Sequence, residues 1–493
     1  MTVVVIGGGV GGLACAARLA AAGHRVTVLE QAHQVGGKLG VLATDGYRFD
    51  TGPSLLTLPW TLADTVRATG VELEEMLDLH PLDPIARYRF ADGTWLDAAA
   101  DDASFETSLD QAFGAGAAVQ WRGLMQRAAR VWAASAGPVL QSALMGPADL
   151  LPLARRATDL AAVAPHRSLR SVGREHLSDP RLRMVLDRYA TYSGSDPRRA
   201  PAALVTVPYA ERRWGGWYVD GGLRRIAEVL ASRVTAQGGV IRTGARVTAI
   251  DVADDRVAGV RLADGSRIAT RTVVANADAA AVADRLLPRL HSAPLRRRLR
   301  WAPRSSSGYV LLLGVEQAAL RGAAANMAQH TVLFGADYDA EFDALFGAAP
   351  SYVADPTIYV SVPRDPTVAP EGHQAWFVLV NAPRTDQVVS PPAGYARRIL
   401  DLMATRGVDV RRAVRLQVQR TPGDVGRETL TPGGAIYGTS SNGPLAAFLR
   451  PPNVGPVEGL YLVGGSSHPG GGLPLVLMSA RIVAEAVSHP STG

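Results

Sequence analysis

Short apolar runs separated by small residues open the chain. Val3 to Ile6 form an uninterrupted apolar run, which is typical of a strand buried on both faces of a parallel sheet. Residues 13–22 are rich in alanine and leucine and are followed by Gly23, which predicts a short helix with glycine at its C-terminal end. Val26 to Leu29 form a second apolar run. The chain is therefore predicted to begin with a strand, a helix and a second, parallel strand.

The same reasoning predicts elements further along the chain. A helix should follow Leu223 and end at Gly238, and Asp264-Gly265 indicates the turn of a hairpin. The other predicted strands are residues 240–242, 246–250, 256–262, 273–278, 307–315, 357–362, 375–381 and 460–463. The alternating strands within residues 305–415 suit the sheet floor of a substrate cavity.

The turn after the first strand carries a glycine motif. Gly7, Gly9 and Gly12 fit G-x-G-x-x-G, in which the glycines let a pyrophosphate approach the N-terminus of the following helix. The second strand is followed by Glu30, where a carboxylate can accept hydrogen bonds from a ribose hydroxyl. Glycine turns are common, but strand, turn, helix, strand and acid in this order predict a bound adenine dinucleotide.

A second group of small residues follows the acid. Gly-Gly before a lysine lets backbone and positive charge approach the cofactor again, which an NAD-binding enzyme does not need. The pattern resembles the FAD-binding extension of the amine-oxidase and carotenoid-desaturase flavoproteins, and it implies that the dinucleotide is FAD. The residues assigned to the cofactor site on this ground are Gly36, Gly37, Lys38, Gly52, Pro53 and Ser54.

The C-terminal region carries the most specific motif. A predicted strand at residues 460–463 is followed by Gly464-Gly465, by S-S-H-P-G-G-G-L-P-L-V at residues 466–476 and by a helix that begins near Leu475. This segment resembles the C-terminal signature of the bacterial phytoene-desaturase family of carotenoid desaturases, and most of all the branch that introduces a C-3,4 double bond. The first 60 residues, residues 205–280 and the last 70 residues carry the resemblance.

The resemblance implies a fold and further cofactor contacts. The expected fold is α/β: a Rossmann-like FAD-binding domain of the amine-oxidase and GDP-dissociation-inhibitor type, a mixed α+β substrate domain and a helical membrane-facing segment. In the family the C-terminal block faces the flavin ring, and the residue equivalent to Val247 meets the adenine through its backbone. The cofactor residues added on this ground are Gly11, Val247, Gly464, Gly465, Gly472, Pro474 and Leu475.

The resemblance also implies an activity. The expected reaction is FAD-dependent desaturation of an acyclic carotenoid at C-3,4, near the chain end, by hydride transfer to flavin N5. His468 and Arg450 are the candidate catalytic residues, although Arg450 could equally anchor the loop before the last strand. A second nucleotide motif for NADPH is absent from the sequence, so oxygen or a quinone is the expected electron acceptor. A long apolar tunnel beside the flavin should hold the polyene.

The chain is too long for one hydrophobic core, because its 493 residues exceed the size at which single cores stop growing. Residues 1–75, 205–280 and 416–493 are expected to form a discontinuous FAD-binding domain. Residues 76–110, 175–204 and 281–415 are expected to form the substrate domain, and residues 111–174 a helical, basic segment.

The net charge of +6 is concentrated in residues 111–174, which hold eight arginines and two aspartates. Residues 131–148 in this window are uncharged, but their polar and Gly-Pro positions make them a poor bilayer span. An interfacial segment with arginines at the lipid headgroups fits better, which predicts peripheral association with the cytoplasmic membrane. A solvated helical cap is the alternative, and nucleic acid is an unsuitable partner because no recognised binding module accompanies the arginines.

The single cysteine, Cys15, excludes an intrachain disulfide and fits a reducing, cytoplasmic compartment. The N-terminus enters the first strand without a basic, apolar leader. The ten histidines show no metal-ligand spacing, so no metal site is expected.

Two other classes of function remain open at this point. One is an amine-oxidase-like or carotenoid-oxygenating flavoenzyme of the same fold. The other is a non-catalytic prenyl-binding protein similar to the Rab GDP-dissociation inhibitors, which the glycine-rich C-terminal block disfavours because only a flavin ring needs that close approach.

Overall fold

A computed structural model describes residues 1–144, 146, 149, 157–384, 390–443 and 446–489. Its strands are β1 (Thr2–Ile6), β2 (Arg25–Leu29), β3 (Val41–Thr44), β4 (Tyr47–Asp50), β5 (Leu79–Pro81), β6 (Ala86–Arg89), β7 (Trp95–Ala98), β8 (Trp217–Val219), β9 (Val240–Arg242), β10 (Val247–Ala253), β11 (Arg256–Leu262), β12 (Arg267–Ala269), β13 (Thr272–Ala275), β14 (Ser307–Glu316), β15 (His330–Leu333), β16 (Ile358–Ser361), β17 (His373–Ala382), β18 (Val414–Arg420) and β19 (Leu460–Leu462).

The described α-helices are α1 (Val10–Ala21), α2 (Trp60–Arg67), α3 (Asp102–Phe113), α4 (Ala117–Ser135), α5 (Ala157–Val163), α6 (Leu169–His176), α7 (Pro180–Arg188), α8 (Thr206–Trp214), α9 (Arg224–Ala236), α10 (Ala279–Ala281), α11 (Arg289–Trp301), α12 (Tyr338–Phe346), α13 (Tyr395–Thr405), α14 (Pro422–Thr429), α15 (Ala446–Leu449) and α16 (Leu473–Ser488). The predicted opening of strand, helix and parallel strand is confirmed. Among the described residues no helix is long and apolar enough to span a bilayer.

A five-stranded parallel sheet gathers strands from distant parts of the chain in the order β19-β13-β1-β2-β9. The apolar run 3–6 occupies its centre, where Val4 is paired with Val273 on one side and Thr27 on the other. Helices α1, α9 and α16 cover one face. The antiparallel sheet β10-β11-β12 and the segment around α10 and α11 pack against the other face. This burial on both faces explains the uninterrupted apolar sequence of β1.

A seven-stranded mixed sheet has the order β18-β14-β17-β16-β15-β6-β7. The strands predicted within residues 305–381 form its centre, and β14 and β17 are each slightly longer than predicted. One face, which includes Tyr309, Leu311 and Trp376, packs against α13. The opposite face, which we call the inner face, packs against helices α3 to α8 at one end and the β3-β4 hairpin at the other. The inner face therefore lies between the sheet and the rest of the molecule.

The helical layer contains the basic window 111–174. Helix α4 ends at Ser135, and Gly137-Pro138 follow in one wide turn that extends to Leu140. Val131 is buried and the Trp132 ring lies 5.0 Å from that of Trp214, so the start of the uncharged stretch belongs to the protein interior. Other residues of the window lie outside the described residues: Met145, Pro147, Ala148 and residues 150–156, which include Arg155 and Arg156.

Candidate active site

The carboxyl ends of the parallel strands meet at the predicted glycine motif. Gly7 follows β1, Glu30 follows β2, Asn276 follows β13 and Gly464 lies two residues after β19. Strands β2 and β13 lie on opposite sides of β1, so the strand order reverses at this point. Ligands of open α/β sheets bind in the crevice at such a switch point. The sheet topology thus places the motif at a ligand-binding crevice.

The side chain of Asn276 occupies the space between the glycines. Its amide nitrogen donates a hydrogen bond of 3.2 Å to the carbonyl oxygen of Gly7. A Cβ atom at Gly9 would lie 2.9 Å from this nitrogen, and one at Gly464 would lie 2.6 Å from the amide oxygen. A Cβ atom at Gly12 would collide with the carbonyl oxygen of Gly7. Helix α1, β13 and the loop after β19 can therefore approach one another only because these positions lack side chains.

Helix α1 begins without a capping side chain. Gly9 is its N-cap residue, and among the described residues no capping side chain accepts a hydrogen bond at this helix end. The backbone amides at such a helix end, together with the helix dipole, favour a bound anion. Gly36 lies alongside and donates a hydrogen bond of 2.7 Å to the carbonyl oxygen of Gly8. Gly36-Gly37 therefore form a second wall beside the N-terminus of α1.

Glu30 is buried, and its carboxylate is held by backbone amides. One oxygen accepts a hydrogen bond from Gly8 at 2.7 Å, and the other accepts one from Ala32 at 2.8 Å. Each oxygen retains a lone pair, so the carboxylate can accept further hydrogen bonds. The backbone carbonyl oxygen of Glu30 accepts a hydrogen bond of 2.8 Å from the amide of Ala245. This bond brings Val247, at the start of β10, close to the end of β2.

Lys38 connects the N-terminal motif to the C-terminal part of the chain. Its ammonium group donates hydrogen bonds to the carbonyl oxygens of Ala435 at 3.1 Å and Ile436 at 2.6 Å. Burial lowers the pKa of Lys38, and the nearby Asp278 opposes that shift. A Cβ atom at Gly52 would collide with the carbonyl oxygen of Lys38, so the start of the Gly52-Pro53-Ser54 segment lies directly against the backbone of Lys38. The positive charge is thus used to hold two segments of the site together.

A second helix begins at the same crevice. Helix α16 has Gly472 as its N-cap residue and Pro474 at its second position, again without a capping side chain. A Cβ atom at Gly11 would lie 3.0 Å from a methyl carbon of Val476, so the starts of α1 and α16 are in contact. Leu475 joins an apolar cluster with Trp60, Trp132, Leu140 and Trp214. Two uncapped helix N-termini and an aromatic cluster therefore lie next to each other.

His468 is buried and faces the helical layer. Its Nε2 atom lies 3.0 Å from the carbonyl oxygen of Ser142, and because a carbonyl only accepts, Nε2 carries the proton. Burial, with a smaller contribution from the charge of Arg450, lowers the pKa of His468 to about 4, although the hydrogen bond to Ser142 opposes this shift. The imidazole is therefore neutral near pH 7 and serves as a hydrogen-bond donor to the turn after α4. Within the part of the chain that the structure describes, the ring partner of His468 is this backbone carbonyl and not a carboxylate.

Arg450 is buried and bonded to backbone carbonyl groups. Its guanidinium donates hydrogen bonds to Gly465 at 3.0 Å, Thr439 at 2.8 Å and Tyr437 at 3.4 Å. Burial lowers the pKa of Arg450 to about 10, so the side chain remains a cation at neutral pH. The three bonds join the segment 437–439 to the glycine turn after β19. This geometry gives Arg450 an anchoring role and leaves its catalytic role a prediction.

Sequence reasoning missed three residues that assemble the site. Asn276 fills the glycine crevice, and its signal was a polar residue directly after an apolar strand. Asp50 accepts hydrogen bonds from the backbone amides of Leu223 (2.7 Å) and Arg224 (3.2 Å), which joins the β3-β4 hairpin to α9. The Arg224 guanidinium in turn donates to the carbonyl oxygen of Val35, just before Gly36. These contacts join residues far apart in sequence, which local patterns do not reveal.

Residues 10–488 match the sequence family of flavin containing amine oxidoreductases. The chain belongs to this family. It is an FAD-dependent oxidoreductase, and within the family it belongs with the bacterial carotenoid desaturases.

Several curated relatives of this flavoprotein match nearly its whole length. A hydroxyneurosporene desaturase from Rubrivivax gelatinosus is 33% identical, over 98% of this chain and 93% of its own. A 1-hydroxycarotenoid 3,4-desaturase from a Flavobacterium species is 30% identical, over 99% of both chains. A 4,4'-diapolycopene oxygenase from a Methylomonas species is also 30% identical, over 98% of this chain and 97% of its own.

Solved structures confirm the fold. A putrescine oxidase double mutant has a TM-score of 0.64 at 14% identity, covering 99% of this chain and 100% of its own. The expected amine-oxidase type of α/β fold is therefore confirmed, whereas a membrane-facing segment stays a prediction.

The crevice suits the cofactor of the family. Glycines at the strand ends leave a backbone cradle that Cβ atoms would fill, and the uncapped amides of α1 suit a pyrophosphate. Glu30 retains acceptor capacity for a ribose. The residues that would hold FAD are thus Gly7, Gly9, Gly11, Gly12, Glu30, Gly36, Gly37 and the N-terminus of α16. The cofactor residue assignments in detail remain predictions.

Proposed function

We propose that this flavoprotein introduces a carbon–carbon double bond into an acyclic carotenoid, at C-3,4 near the end of the polyene. The observation that carries the proposal is the apolar inner face of the seven-stranded sheet, which extends from the cofactor segments to the helical layer. Val310, Leu312, Val332, Phe377 and Leu379 share this face by their strand register. Leu379 is half-buried and the other four are buried, so this face offers an apolar lining of the kind that a long hydrocarbon requires.

The helical layer supplies the other wall of the proposed channel. Met184, Leu204 and Val207 pack only partly against the apolar core of that layer and keep accessible surface. Trp60, Trp132 and Trp214 lie at its end next to α16. A channel between sheet and helices, closed at the loop 468–475, would seat a polyene and exclude water. Such a reaction requires mainly that the protein position the substrate beside the flavin and exclude water from the site.

Bound FAD would supply the chemistry by accepting a hydride from one substrate carbon, and the double bond would form as the neighbouring carbon releases a proton that passes to solvent. The chain itself would bind and orient. The two helix N-termini would place positive partial charge at the crevice. Lys38 would hold residues 435–436 against the N-terminal motif, and Arg450 would hold residues 437–439 against the glycine turn after β19, through the bonds described above. His468, neutral and bonded to Ser142, would fix the loop 468–475 to the helical layer.

Product analysis tests the activity. Purified holoenzyme is incubated with neurosporene, lycopene and their 1-hydroxy derivatives in detergent. The products are separated by chromatography, and their masses are determined by mass spectrometry. A product lighter by two hydrogens with a red-shifted absorption spectrum is expected. Absence of any such product from all four carotenoids would refute the proposal.

Oxygenation of a carotenoid end is the second candidate, because the diapolycopene oxygenase is as similar to this chain as the 3,4-desaturase. The same assay separates the two reactions by mass, since an oxygenated product gains oxygen. Anaerobic incubation adds a second criterion. Desaturation should still reduce the bound flavin without oxygen, with a quinone restoring turnover, whereas incorporation of oxygen should stop.

We further propose that the protein associates peripherally with the cytoplasmic membrane through the outer side of the window 111–174. Exposed positions on α4 recur at Val119, Arg122, Gln126 and Arg130, which form one stripe. The uncompensated positive charge of this window is smaller than its sequence predicts, because several of its arginines form ion pairs with acidic residues outside the window. Arg122 pairs with Glu106, Arg167 with Glu175, and Arg170 with Asp187 and Asp339.

Flotation with phosphatidylglycerol vesicles tests the membrane proposal. Wild-type protein should float at low salt and less at high salt, and Arg130→Glu should reduce flotation. Arg397→Glu reverses an exposed arginine on α13 and serves as the matched control. Absence of flotation by wild type would refute the proposal. Loss of flotation in Trp301→Ala but not in Arg130→Glu would move the docking surface to α11, where Leu290 and Trp301 are exposed.

A further inference from the structure

A buried carboxylate lies within the apolar wall of the proposed channel. Val207, Glu211 and Trp214 recur on α8 at spacings of four and three residues, so they share one face of the helix. Val207 and Trp214 line the proposed channel, whereas Glu211 between them is 3% exposed. Burial of a carboxylate is costly unless polar groups compensate its charge. The contacts of Glu211 therefore decide which role this group has.

Two phenol hydroxyls donate hydrogen bonds to this carboxylate. Tyr189 donates to one oxygen of Glu211 at 2.5 Å, and Tyr192 donates to the other at 3.3 Å. The guanidinium of Arg188 donates hydrogen bonds to the hydroxyl oxygens of Tyr192 at 3.1 Å and Tyr88 at 3.0 Å. These five residues form one hydrogen-bonded group, which we call the Arg188 cluster. The hydroxyl of Tyr192 thus lies between a cation and a carboxylate, which polarises its O–H bond toward Glu211.

Tyr192 differs from Tyr189 in what surrounds it. Tyr189 is 3% exposed, whereas Tyr192 lies deep in the helical layer and yet keeps accessible surface, which indicates that it faces an internal space. Burial raises the pKa of Tyr192 well above its ordinary value, and the charge of Arg188 opposes this shift. The hydroxyl of Tyr192 therefore carries its proton. Its oxygen has two lone pairs, and among the described residues only Arg188 donates to it.

The strand register places the Arg188 cluster over the inner face of the seven-stranded sheet. Val332 on β15 is paired with Tyr359 on β16 and with Tyr88 on β6. Residues paired in this way point to the same face of a sheet, so the three side chains form one row. Tyr88, which accepts the hydrogen bond from Arg188, ends this row on the side of the helical layer. The cluster therefore adjoins the lining of the proposed channel.

Tyr359 connects the same row to the predicted cofactor segment. Its hydroxyl lies 2.6 Å from Oγ of Ser54 and 2.6 Å from Nδ1 of His330. Burial raises the pKa of Tyr359 to about 12, although the bond to Ser54 and the charge of Arg188 oppose this shift. Arg188 is thus close enough to Tyr359 to act on it. The Arg188 cluster therefore lies beside the part of the inner face that meets Ser54.

We infer that Tyr192 and Glu211 accept the proton that the substrate loses during desaturation. This inference rests on the proposed function. As a hydride passes from one carbon to bound FAD, the neighbouring C–H bond breaks, and its electron pair forms the new double bond. The released proton binds to the hydroxyl oxygen of Tyr192, whose own proton passes to Glu211 and is later released to solvent. Tyr192 is then a catalytic residue, and Arg188 is a positioning residue that holds the Tyr192 oxygen.

The cluster suits the acidity of this proton. Loss of a hydride leaves positive charge on the polyene, and a C–H bond next to that charge gives up its proton to a weak base. A neutral phenol that passes its own proton to a carboxylate is such a base. The carboxylate of Glu211 also stabilises the positive charge as it develops. A base held in an apolar channel makes water unnecessary for the step, and water would otherwise add to the cation.

Replacement of the Tyr192 hydroxyl tests the inference. The substrate is whichever of the four carotenoids named above the wild-type holoenzyme converts fastest. Tyr192→Phe keeps both buried charges, so it should fold, and it should lower kcat at least about 100-fold. The Kd for the carotenoid should stay within about threefold of the wild-type value. This Kd is measured by quenching of tryptophan fluorescence with enzyme whose flavin has been reduced chemically, so that no turnover occurs.

Tyr338→Phe is the matched control. Tyr338 packs in the same layer, and its buried hydroxyl has no hydrogen-bond partner among the described residues. This variant should leave kcat and Kd within about threefold of the wild-type values. Tyr189→Phe removes the other phenol from Glu211 without removing the proton acceptor, so it should lower kcat less than Tyr192→Phe does.

Isotope effects separate proton transfer from a structural role. The carotenoid is deuterated at one or the other of the two carbons that become doubly bonded. At the carbon that loses the proton, the kinetic isotope effect should be larger in Tyr192→Phe than in wild type, because proton loss becomes slower than hydride loss. Equal losses of kcat in Tyr189→Phe and Tyr192→Phe, with isotope effects unchanged at both carbons, would indicate a structural role and overturn the inference.

The remaining outcomes distinguish this inference from the proposed function. Desaturation by wild type together with a kcat of Tyr192→Phe within about threefold of the wild-type value would overturn the inference and leave the proposed function standing. Absence of desaturation by the wild type would overturn both.

Discussion

Replacement of Gly9 by alanine should sharply weaken FAD binding. The new Cβ atom would lie 2.9 Å from the Asn276 amide nitrogen and 3.9 Å from Gly37 Cα, so it enters the crevice in front of α1. Overpacking of this kind costs about 1–3 kcal/mol, and displacing the bond from Asn276 to Gly7 adds about 1 kcal/mol. Together these correspond to a loss of FAD affinity of about 30- to 1000-fold.

Titration of apoprotein with FAD, followed by quenching of flavin fluorescence, measures the effect. Gly123→Ala is the matched control, because a Cβ atom there meets nothing within 4 Å and Gly123 lies within helix α4, away from the glycine crevice. It should leave the Kd for FAD within about threefold of the wild-type value. The double variant Gly9→Ala/Asn276→Ala separates the two causes, and restoration of wild-type affinity would assign the whole effect to Asn276. An unchanged Kd in Gly9→Ala would refute the role of the motif.

Three other predictions follow from buried groups. Lys38→Met removes the bonds to Ala435 and Ile436 and should lower the free energy of unfolding in urea by about 2–4 kcal/mol, whereas a loss under 0.5 kcal/mol would contradict the anchoring role. Burial raises the pKa of Asp50 from 3.8 to about 6, so its contribution to stability is present below pH 3.8 and is lost as pH rises through 6. Relative to wild type, Asp50→Asn should therefore gain about 2 kcal/mol of stability between pH 4 and pH 7, and a pH-independent difference would disprove this. Cys15 is fully buried with its pKa raised to about 12, so a thiol reagent should modify it only after unfolding, and rapid labelling of native protein would refute that placement.

The sequence alone determined the parts of this protein that depend on neighbouring residues. The apolar run of β1, the glycines before α1 and the acid after β2 lie within 30 residues, and their spacing already requires a strand, a turn and a helix start. The long strands β14 and β17 were likewise predictable, because their periodicity is local. The C-terminal motif identified the family for the same reason.

Tertiary structure decided which distant residues meet. Asn276 fills the glycine crevice because β13 pairs with β1 across more than half of the chain. His330, Tyr359 and Ser54 form one polar chain only because β15 and β16 are paired and face the segment after the β3-β4 hairpin. The arginines of the basic window lose much of their free charge to acids such as Glu106 and Asp187. Charge counts and periodicity describe single segments, whereas pairing, burial and charge compensation depend on the packing of segments against one another.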